Sequence, residues 1–554
     1  MAGRRAAAAN ALSRLNSLFG RPEDAPGLYP FDSDDDLIDE EGEGSDNITA
    51  NIDQGSSEED AEANESDTDG AATSSENFDS KNGLTWKRID ELPPIRQPPE
   101  RNILRNEPGP KSFIRRKVDD ELTAWSLLFD QTMLRKICVN TNDWVVYKGI
   151  ADWQELTVED LKSFIGILYI RGIFGYRNAD VRSMWSKDFG IPLVSRIMSR
   201  NRFIMILANI RFDNPNERSQ RLNTDKFTHI RELVNSFVKN SISAYTPSAL
   251  LTIDEQLLPM KNRCSFIQFI KSKPDKFGIK LWLLVDCVTK YILNYFPYIG
   301  KEERNGRLSD AVVAELMEPY LRNGHNVTAD NYFTTVNQMQ ELLQKNTTYV
   351  GTVRMNSKDL CKDMKDPRPL YHSQFYQLEQ DNRIIAVSYQ CKSTRKVVLF
   401  SSMHEEVNVD SSERKKPNIV LTYNSTKTGV DIADAMLRMY SCKAATRRWP
   451  IGVFYDLLDK CAINSWILHK QCTNSSATRK KYILNLIFQI VGTSSDIPSF
   501  PSSSRDTQAT QSKKRKRCSI TGCENKTSFT CNTCEKNICG KHSQKLSIWE
   551  TCIS

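Results

Sequence analysis

The sequence predicts a mixed α/β protein, with an α/β core set between all-helical segments. Three observations carry this prediction. Short apolar strands alternate with helices between residues 248 and 356, helical periodicity dominates on either side, and the two ends have compositions of their own. At 554 residues the chain is too long for one ordinary hydrophobic core, so we expect several domains.

The segment 248–356 carries the clearest order of strands and helices. It reads as three strands, a helix, a strand, a helix and a strand, which is the order of an RNase H-like core. We place its second part at 418–440, as a short strand followed by a helix. The strands are predicted at 250–253, 278–285, 291–299, 326–329, 349–354 and 419–421, and the helices at 310–321, 336–344 and 430–440.

The segments around this core have simpler patterns. Residues 105–247 and 441–491 show helical spacing of apolar residues and form an all-helical domain in two parts. Thr157 is placed to cap one of these helices, with acidic residues in its first turn. Residues 357–417 contain β-rich runs separated by polar turns, which predicts a β-rich insertion.

The N-terminal region, residues 1–104, is predicted to be disordered and acidic. Residues 22–80 contain 21 Asp and Glu but no Lys or Arg, so the remainder of this chain of net charge +6 carries +27. A body this basic favours nucleic acid as partner, although a merely soluble basic protein has the same charge. No apolar run reaches the roughly 18 residues of a membrane span, so no membrane partner is expected.

Four aspartates form the candidate catalytic site. Asp254 and Asp330 each follow an apolar strand, Asp431 opens a helix, and Asp434 lies one turn further along that helix. Phosphodiester cleavage by two metals needs carboxylates that converge on a pair of Mg²⁺ ions, which prefer oxygen ligands. Taken singly, an aspartate after a strand is more often a turn former or helix cap.

Longer motifs make the interpretation specific. The stretches that begin at Leu251 (LTIDEQLL), Lys273 (KPDKFGIK), Asp330 (DNYFT), Val350 (VGTVR) and Gly429 (GVDIAD) resemble the signatures of the piggyBac transposase family in order and spacing. The likeness runs from about residue 199 to 465. One departure is Asn262–Arg263, where the family has Gly-Arg, and another is Ser357, where some members have a lysine.

The resemblance implies a DDE/D-type transposase. Its catalytic triad falls on Asp254, Asp330 and Asp431, which would bind two Mg²⁺, and a further required acid falls on Asp434. Family members excise an element at terminal inverted repeats through DNA hairpins, insert it at TTAA sites and act as homodimers. The expected partners are therefore double-stranded transposon ends and TTAA target DNA. The residues expected to contact DNA are Arg263, Lys273, Lys276, Arg354, Arg447, Arg448 and Trp449.

For the arginines and the tryptophan among these residues, side-chain chemistry gives a separate reason to expect contact with DNA. Arginine can place two hydrogen bonds on a phosphate, as expected for Arg354 and Arg447–Arg448, and Trp449 beside them offers a face for an unpaired base. A tryptophan before a proline is nevertheless more often a core anchor. Both interpretations of Trp449 stay open at this point.

The C-terminal segment 518–554 is predicted to be a cross-brace zinc domain that holds one or two Zn²⁺, because cysteines at two-residue spacing are typical zinc ligands. A cross-brace leaves the second site one ligand short. The similar domain of the family binds end DNA. The ligands are Cys518, Cys523, Cys531, Cys534, Cys539, His542 and Cys552.

A linker, 492–517, precedes this domain and ends in the basic run 513–517. That run is typical of a nuclear localisation signal, or equally of an arm on DNA phosphates, and we expect the protein in the nucleus. The acid-free first twenty residues, with Arg4, Arg5 and Arg14, instead resemble a mitochondrial transit peptide. A DNA-binding chromatin protein derived from a transposase, without transposition activity, is the alternative function.

Overall fold

The computed structural model describes residues 77–90, 92, 99–271, 273–300, 306–492, 516–519, 521, 523–527 and 536–537. It divides into two compact units, Met1–Gly492 and Thr493–Ser554. The acidic residues 1–76, and therefore most of the region predicted to be disordered, lie outside the described residues. So do five of the seven predicted zinc ligands, namely Cys531, Cys534, Cys539, His542 and Cys552.

One large sheet dominates the described part of the first unit. Eleven strands join in the order β1-β2-β11-β12-β13-β10-β9-β5-β7-β6, and β8 pairs with β7. The small pair β3–β4 stands apart from it. The strands are β1 Asn77–Asp79, β2 Thr85–Ile89, β3 Gly109–Pro110, β4 Tyr245–Thr246, β5 Leu250–Pro259, β6 Gln268–Phe269, β7 Phe277–Asp286, β8 Ile292–Pro297, β9 Asn326–Ala329, β10 Thr348–Val353, β11 Ser373–Leu378, β12 Ile385–Lys392 and β13 Arg395–Ser401.

Helices precede, interrupt and follow the strands. They are α1 Ser112–Arg115, α2 Glu121–Leu128, α3 Gln131–Lys148, α4 Val158–Ile173, α5 Pro192–Ile197, α6 Arg200–Asn209, α7 Arg218–Leu222, α8 Thr228–Ala244, α9 Leu308–Met317, α10 Val336–Leu343, α11 Lys362–Lys365, α12 Asn418–Thr426, α13 Gly429–Met439, α14 Trp449–Thr473 and α15 Arg479–Ile490. Helix α14 is buried along most of its length and packs against α2, α8, α13 and α15. It therefore forms the centre of the helical core.

The strand directions follow from the connections. Strands β5 and β8 each pair antiparallel with β7, whereas β5 pairs with β9, and β9 with β10, in parallel. Helix α9 links β8 to β9, and α10 is the crossover that joins the parallel neighbours β9 and β10. The central order is thus β8-β7-β5-β9-β10, built from the strands and helices predicted at 250–354.

Local signals at one predicted helix are confirmed. Thr157 caps α4, because its Oγ1 accepts a hydrogen bond from the backbone N–H of Asp160 at 3.1 Å. Glu159 and Asp160 lie in the first turn, where acidic side chains favour the positive end of the helix dipole.

Two predictions were wrong. The run 419–421 is helical, not a strand, and belongs to α12. Its buried residues, Ile419, Val420, Tyr423 and Thr426, recur at helical spacing, which three residues alone could not reveal.

The second correction concerns residues 77–90, which are not disordered. They form the hairpin β1–β2 on the edge of β11. Trp86 of β2 is fully buried and its ring stacks on Phe400 at 5.2 Å. The few aromatic residues at the end of the acidic tract therefore belong to the folded sheet, because β11 offers an edge for them to pair with.

The strands of the predicted β-rich insertion do not form a sheet of their own. Its strands β11, β12 and β13 continue the core sheet, since β13 pairs antiparallel with β10. Within the described residues, no helix is long and apolar enough to cross a membrane.

Candidate active site

The pairing of β5 with β9 brings Asp254 and Asp330 side by side. The two strands run parallel, with Ile253 opposite Ala329; Asp254 is the next residue of β5, and Asp330 directly follows the end of β9. Neighbouring strands lie about 4.8 Å apart, so the two carboxylates emerge next to each other at the carboxyl end of β9. Both side chains are half-buried.

Asp431 reaches the same place because α13 begins directly against β5. A Cβ at Gly429 would lie 2.3 Å from Thr252 Cγ2, so the helix backbone comes closer there than any other residue allows. Thr252 Oγ1 also donates to the carbonyl of Lys427 at 3.4 Å, just before the helix. Asp431 lies in the first turn that this contact positions.

The neighbouring charges act on Asp254. Burial raises its pKa well above the ordinary value, and the negative charges of Glu255, Asp330 and Asp431 raise it further, against the pull of Lys273. Two of these charges come from β9 and α13, which lie far from Asp254 in the sequence. The structure therefore brings Asp330 and Asp431 close enough to Asp254 for their charges to raise its pKa.

Asp431 and Lys273 share the same environment. Asp431 is an exposed residue, yet partial desolvation of its carboxylate raises its pKa, with Asp434 and Glu255 acting in the same direction and Lys273 and Lys427 opposing them. Burial alone would lower the pKa of Lys273, but the surrounding carboxylates outweigh it and raise that pKa. Lys273, predicted to contact DNA, thus lies among the acids, with its Nζ 3.8 Å from Glu255 Oε1.

Asp434 is held from two sides. Gln256 of β5 donates from Nε2 to Asp434 Oδ1 at 3.0 Å, and Arg438 donates from Nε to Asp434 Oδ2 at 2.9 Å. Arg438 also pairs with Asp275 at 3.3 Å, next to the loop that carries Lys273. Asp434 therefore joins α13 to β5, and its partner Arg438 joins α13 to the loop before β7.

The donor set suits hard divalent cations, although the side chains do not close around one in this conformation. Asp254 Oδ1 accepts from the backbone of Glu255 at 2.7 Å, and Asp330 Oδ1 from that of Tyr332 at 3.0 Å. No group of three or more His, Cys, Asp or Glu side chains in the described residues is arranged to hold a metal. Clustered carboxylates with raised pKa values nevertheless match the oxygen ligands and charge that Mg²⁺ requires.

Basic and aromatic side chains border Asp330. Arg354 is exposed and donates from Nε to Asn331 Oδ1 at 3.1 Å, with its guanidinium 5.9 Å from the ring centre of Tyr332. The Tyr332 ring stacks on Trp282 at 5.7 Å, which fixes its orientation. An exposed arginine thus stands beside the carboxylates, where a phosphate could reach it.

Residues 120–466, more than half of the chain, match the family model described as Transposase IS4. The chain belongs to this transposase family. Its relatives are of piggyBac type: human PiggyBac transposable element-derived protein 3 is 25% identical over 366 residues, 62% of this chain and 60% of that protein. Human PiggyBac transposable element-derived protein 2 is 24% identical over 372 residues, 63% and 61% of the two chains. The chain therefore spans about 60% of the length of these relatives.

A solved structure extends the likeness to the fold. The cryo-EM structure of a piggyBac transposase synaptic complex with hairpin DNA matches with a TM-score of 0.66 and 29% identity. The match covers 80% of this chain and 100% of that one. The resemblance read from the motifs is thus confirmed at the level of the family and of its mixed α/β architecture.

The residues predicted to contact DNA lie in different surroundings. Arg263, Lys276 and Arg447 are exposed. Asn262, which replaces the family's glycine, ties its loop to α14 when its amide is oriented so that the oxygen accepts from the Trp449 backbone N–H at 3.1 Å.

Arg448 and Trp449 are engaged within the protein. Arg448 donates to the carbonyls of Ala208 at 2.9 Å and Leu207 at 3.3 Å, at the end of α6. The Trp449 ring is 9% exposed and stacks on Phe227 at 5.4 Å. This placement favours the core-anchor interpretation of Trp449 over stacking on a base.

Three polar residues next to the site, Gln256, Asp456 and Lys460, were not among the predicted site residues. Gln256 contacts Asp434, and it also contacts Lys460 and Asp456 of α14. The available signal was the spacing of Asp456 and Lys460, an opposite-charge pair four residues apart inside an otherwise apolar helix.

Only two of the predicted zinc ligands, Cys518 and Cys523, lie in the described residues of the second unit. The described pieces include a short hairpin of Lys516–Arg517 with Lys526–Thr527, and the backbone N–H of Cys518 donates to Asn525 at 2.8 Å. Cys518 is buried and Cys523 is half-buried. The ligand set stays a prediction.

Proposed function

We propose that this chain is a piggyBac-type DNA transposase that cleaves and joins DNA with divalent metal ions. Its substrates would be transposon ends with terminal inverted repeats, and its target would be TTAA sequences. The proposal rests on family membership together with the local arrangement of the acids. The proposal concerns this chain and not its human relatives, of whose length it covers only about 60%.

One observation carries the proposal. The parallel register of β5 and β9 sets Asp254 beside Asp330, and the contact of Gly429 with Thr252 brings the first turn of α13 to both. The central order β8-β7-β5-β9-β10 supports an RNase H-like core of the DDE/D type. Three acids that are distant in sequence thus share one sheet edge, where α/β proteins build their sites.

Asp254, Asp330 and Asp431 would hold the two Mg²⁺ ions, with Asp434 as the further catalytic acid. Bound there, the ions would supply an activated nucleophile and stabilise the leaving oxygen of the phosphodiester. Lys273 offsets part of the negative charge of the cluster, as its raised pKa indicates. Arg354, which donates to Asn331 next to Asp330, would bind a DNA phosphate there.

Double-stranded DNA would contact the exposed basic side chains around this site. Arg263, Lys276 and Arg447 are all exposed, and binding through them would weaken with salt because neutralised phosphates release counterions. We extend the proposal to a homodimer in the nucleus, with one or two Zn²⁺ in the C-terminal segment. Light scattering, fluorescence localisation of variants in 513–517 and metal analysis test these three points.

A second candidate function is a nuclear DNA-binding or chromatin protein without transposition activity. The names of the human relatives, which describe them as derived from the transposable element, favour this candidate. Such a protein would bind DNA with a steep salt dependence but leave it uncleaved in Mg²⁺.

The deciding experiment uses the full chain, Mg²⁺ and DNA that carries inverted repeats bordered by TTAA, taken from the flanks of its genomic copy. The parent protein should nick the ends and form hairpins, and Asp330→Ala should do neither. Asp188→Ala, at an exposed aspartate in the helical region, is the matched control and should behave as the parent. Equal products from the parent and Asp330→Ala would refute the enzymatic proposal.

A further inference from the structure

A partly buried hydrogen bond joins β5 to α13 two residues beyond Asp254. Because side chains alternate along a strand, Asp254 and Gln256 lie on the same face of β5, the face that α13 covers. Gln256 is 4% exposed, and its Nε2 donates to Asp434 Oδ1 at 3.0 Å. The strand that carries one acid of the cluster therefore holds another acid directly.

Lys460 of α14 fixes which way the Gln256 amide points. Lys460 Nζ donates to Gln256 Oε1 at 2.8 Å, and Asp456 Oδ1 lies 3.4 Å from Gln256 Nε2. An ammonium group only donates and a carboxylate only accepts. The amide oxygen must therefore face Lys460, which leaves the NH₂ group facing Asp434 and Asp456.

The ion pair behind Gln256 has no evident value for stability. Lys460 and Asp456 form a salt bridge in which the side chains are 0% and 3% exposed. Burying two charges carries a desolvation penalty that the pair itself seldom recovers, so apolar side chains of similar size would serve stability as well. What the pair supplies instead is a fixed orientation for a neutral amide beside the acids.

We infer that Gln256 is a positioning residue for the carboxylate cluster, supported by Lys460 and Asp456. Asp431 and Asp434 are three residues apart on α13, so they share one face of that helix. By holding Asp434, Gln256 sets the rotation of α13 and hence the direction of Asp431 toward Asp254. This inference rests on the proposed metal-dependent function, since the cluster is what Gln256 positions.

The test replaces Gln256 by Met, which keeps the length of the side chain and removes both hydrogen-bonding ends. Two readouts are taken on the full chain: the Mn²⁺ concentration that gives half of the maximal rise in Tm, and the rate of end cleavage. Loss of a residue that orients the ligands of a metal site from outside typically lowers metal affinity or activity about 10- to 100-fold. We expect a change of that size in Gln256→Met, with unchanged affinity for DNA in the absence of metal.

A second variant keeps the inference testable if Gln256→Met folds poorly. The double variant Asp456→Asn/Lys460→Met removes both buried charges together and leaves no unpaired ion. It should weaken Mn²⁺ binding in the same direction, because the amide loses its fixed orientation. Adding Gln256→Met to it should have little further effect, since residues that act as one unit are not additive.

Asn464 provides the matched control on the same helix. It lies one turn beyond Lys460 and bonds the backbone of Ile292 in β8 twice, at 2.9 and 2.8 Å, away from the acids. Asn464→Ala should lower Tm without moving the Mn²⁺ midpoint.

The outcomes separate the two proposals. A Gln256→Met protein with the parent's Mn²⁺ midpoint and cleavage rate overturns the positioning role, as does an equal midpoint shift in Asn464→Ala. If the parent binds Mn²⁺ but cleaves no ends, the transposase proposal fails while the midpoint shift still supports Gln256. If Mn²⁺ never raises the Tm of the parent, both proposals fall.

Discussion

The closeness of α13 to β5 at Gly429 can be tested by adding and removing one methyl group. In Gly429→Ala the new Cβ would lie 2.3 Å from Thr252 Cγ2, about 1 Å inside ordinary van der Waals contact. Because Thr252 is buried in the sheet, the helix has to move or tilt. Overpacking of this kind destabilises by about 1–3 kcal/mol.

The same displacement should impair the site. Asp431 lies two residues beyond Gly429 in the first turn of α13, so a shift of about 1 Å at position 429 moves its carboxylate by a similar distance. Misplacement of this size can lower a rate by about 100-fold. We therefore expect end cleavage to fall far more than the modest loss of stability suggests.

Thr252→Ser is the compensating change, because serine lacks the Cγ2 methyl but keeps the hydroxyl that reaches Lys427. In the double variant the nearest remaining atom of residue 252 would be its Cβ at 3.5 Å, which is an ordinary contact. The double variant should regain stability and cleavage, with a coupling energy of about 1 kcal/mol or more. Urea unfolding and the end-cleavage assay measure both, and additive losses would refute the reasoning.

Three further predictions concern other parts of the molecule. Burial raises the pKa of Asp459 from 3.8 to about 7, so the folded state binds the extra proton between these values, and stability falls as pH rises from about 4 to 7. Relative to Asp459→Asn, the parent should lose up to about 4 kcal/mol of unfolding free energy across that window, measured by urea titration at pH 4 and 8, and parallel pH profiles would contradict this. Trp86→Ala should lower the unfolding free energy by about 3–5 kcal/mol, because the ring is fully buried against Phe400, whereas an unchanged Tm would mean that the hairpin at 77–90 is dispensable. Arg354→Ala should weaken DNA binding and reduce the slope of log affinity against log salt by about 1, as titrations at several salt concentrations would reveal.

Several features could be predicted from local sequence because their causes are local. Thr157 caps α4 through its own side chain, and the strand runs near Asp254 and Asp330 carry the apolar, β-branched residues of buried strands. The prediction of a strand at 419–421 was wrong because the cause of its conformation is not local. Three apolar residues fit a strand or a helix equally, and only their burial with Tyr423 and Thr426 decides for the helix.

The N-terminal hairpin shows another limit of composition. Residues 77–90 follow a tract of acidic and small residues, and their composition alone gave no sign of a sheet. Their order depends on an open edge at β11, some 290 residues away in the chain. No window of sequence around Trp86 contains that edge.

The sequence by itself determined the family, the order of the main strands and helices between 250 and 354, and that Asp330 directly follows a strand, whereas Asp254, predicted to follow one, lies within β5. Tertiary structure alone decided that Asp254 and Asp330 are neighbours, that Gly429 seats the first turn of α13 on Thr252, and that Lys273 lies among the acids. The physical reason is that residue type and periodicity act over a few residues, whereas strand register and helix docking follow from contacts between segments that are far apart in the chain. The buried amide of Gln256 belongs to the second kind, because its orientation depends on a lysine 204 positions later.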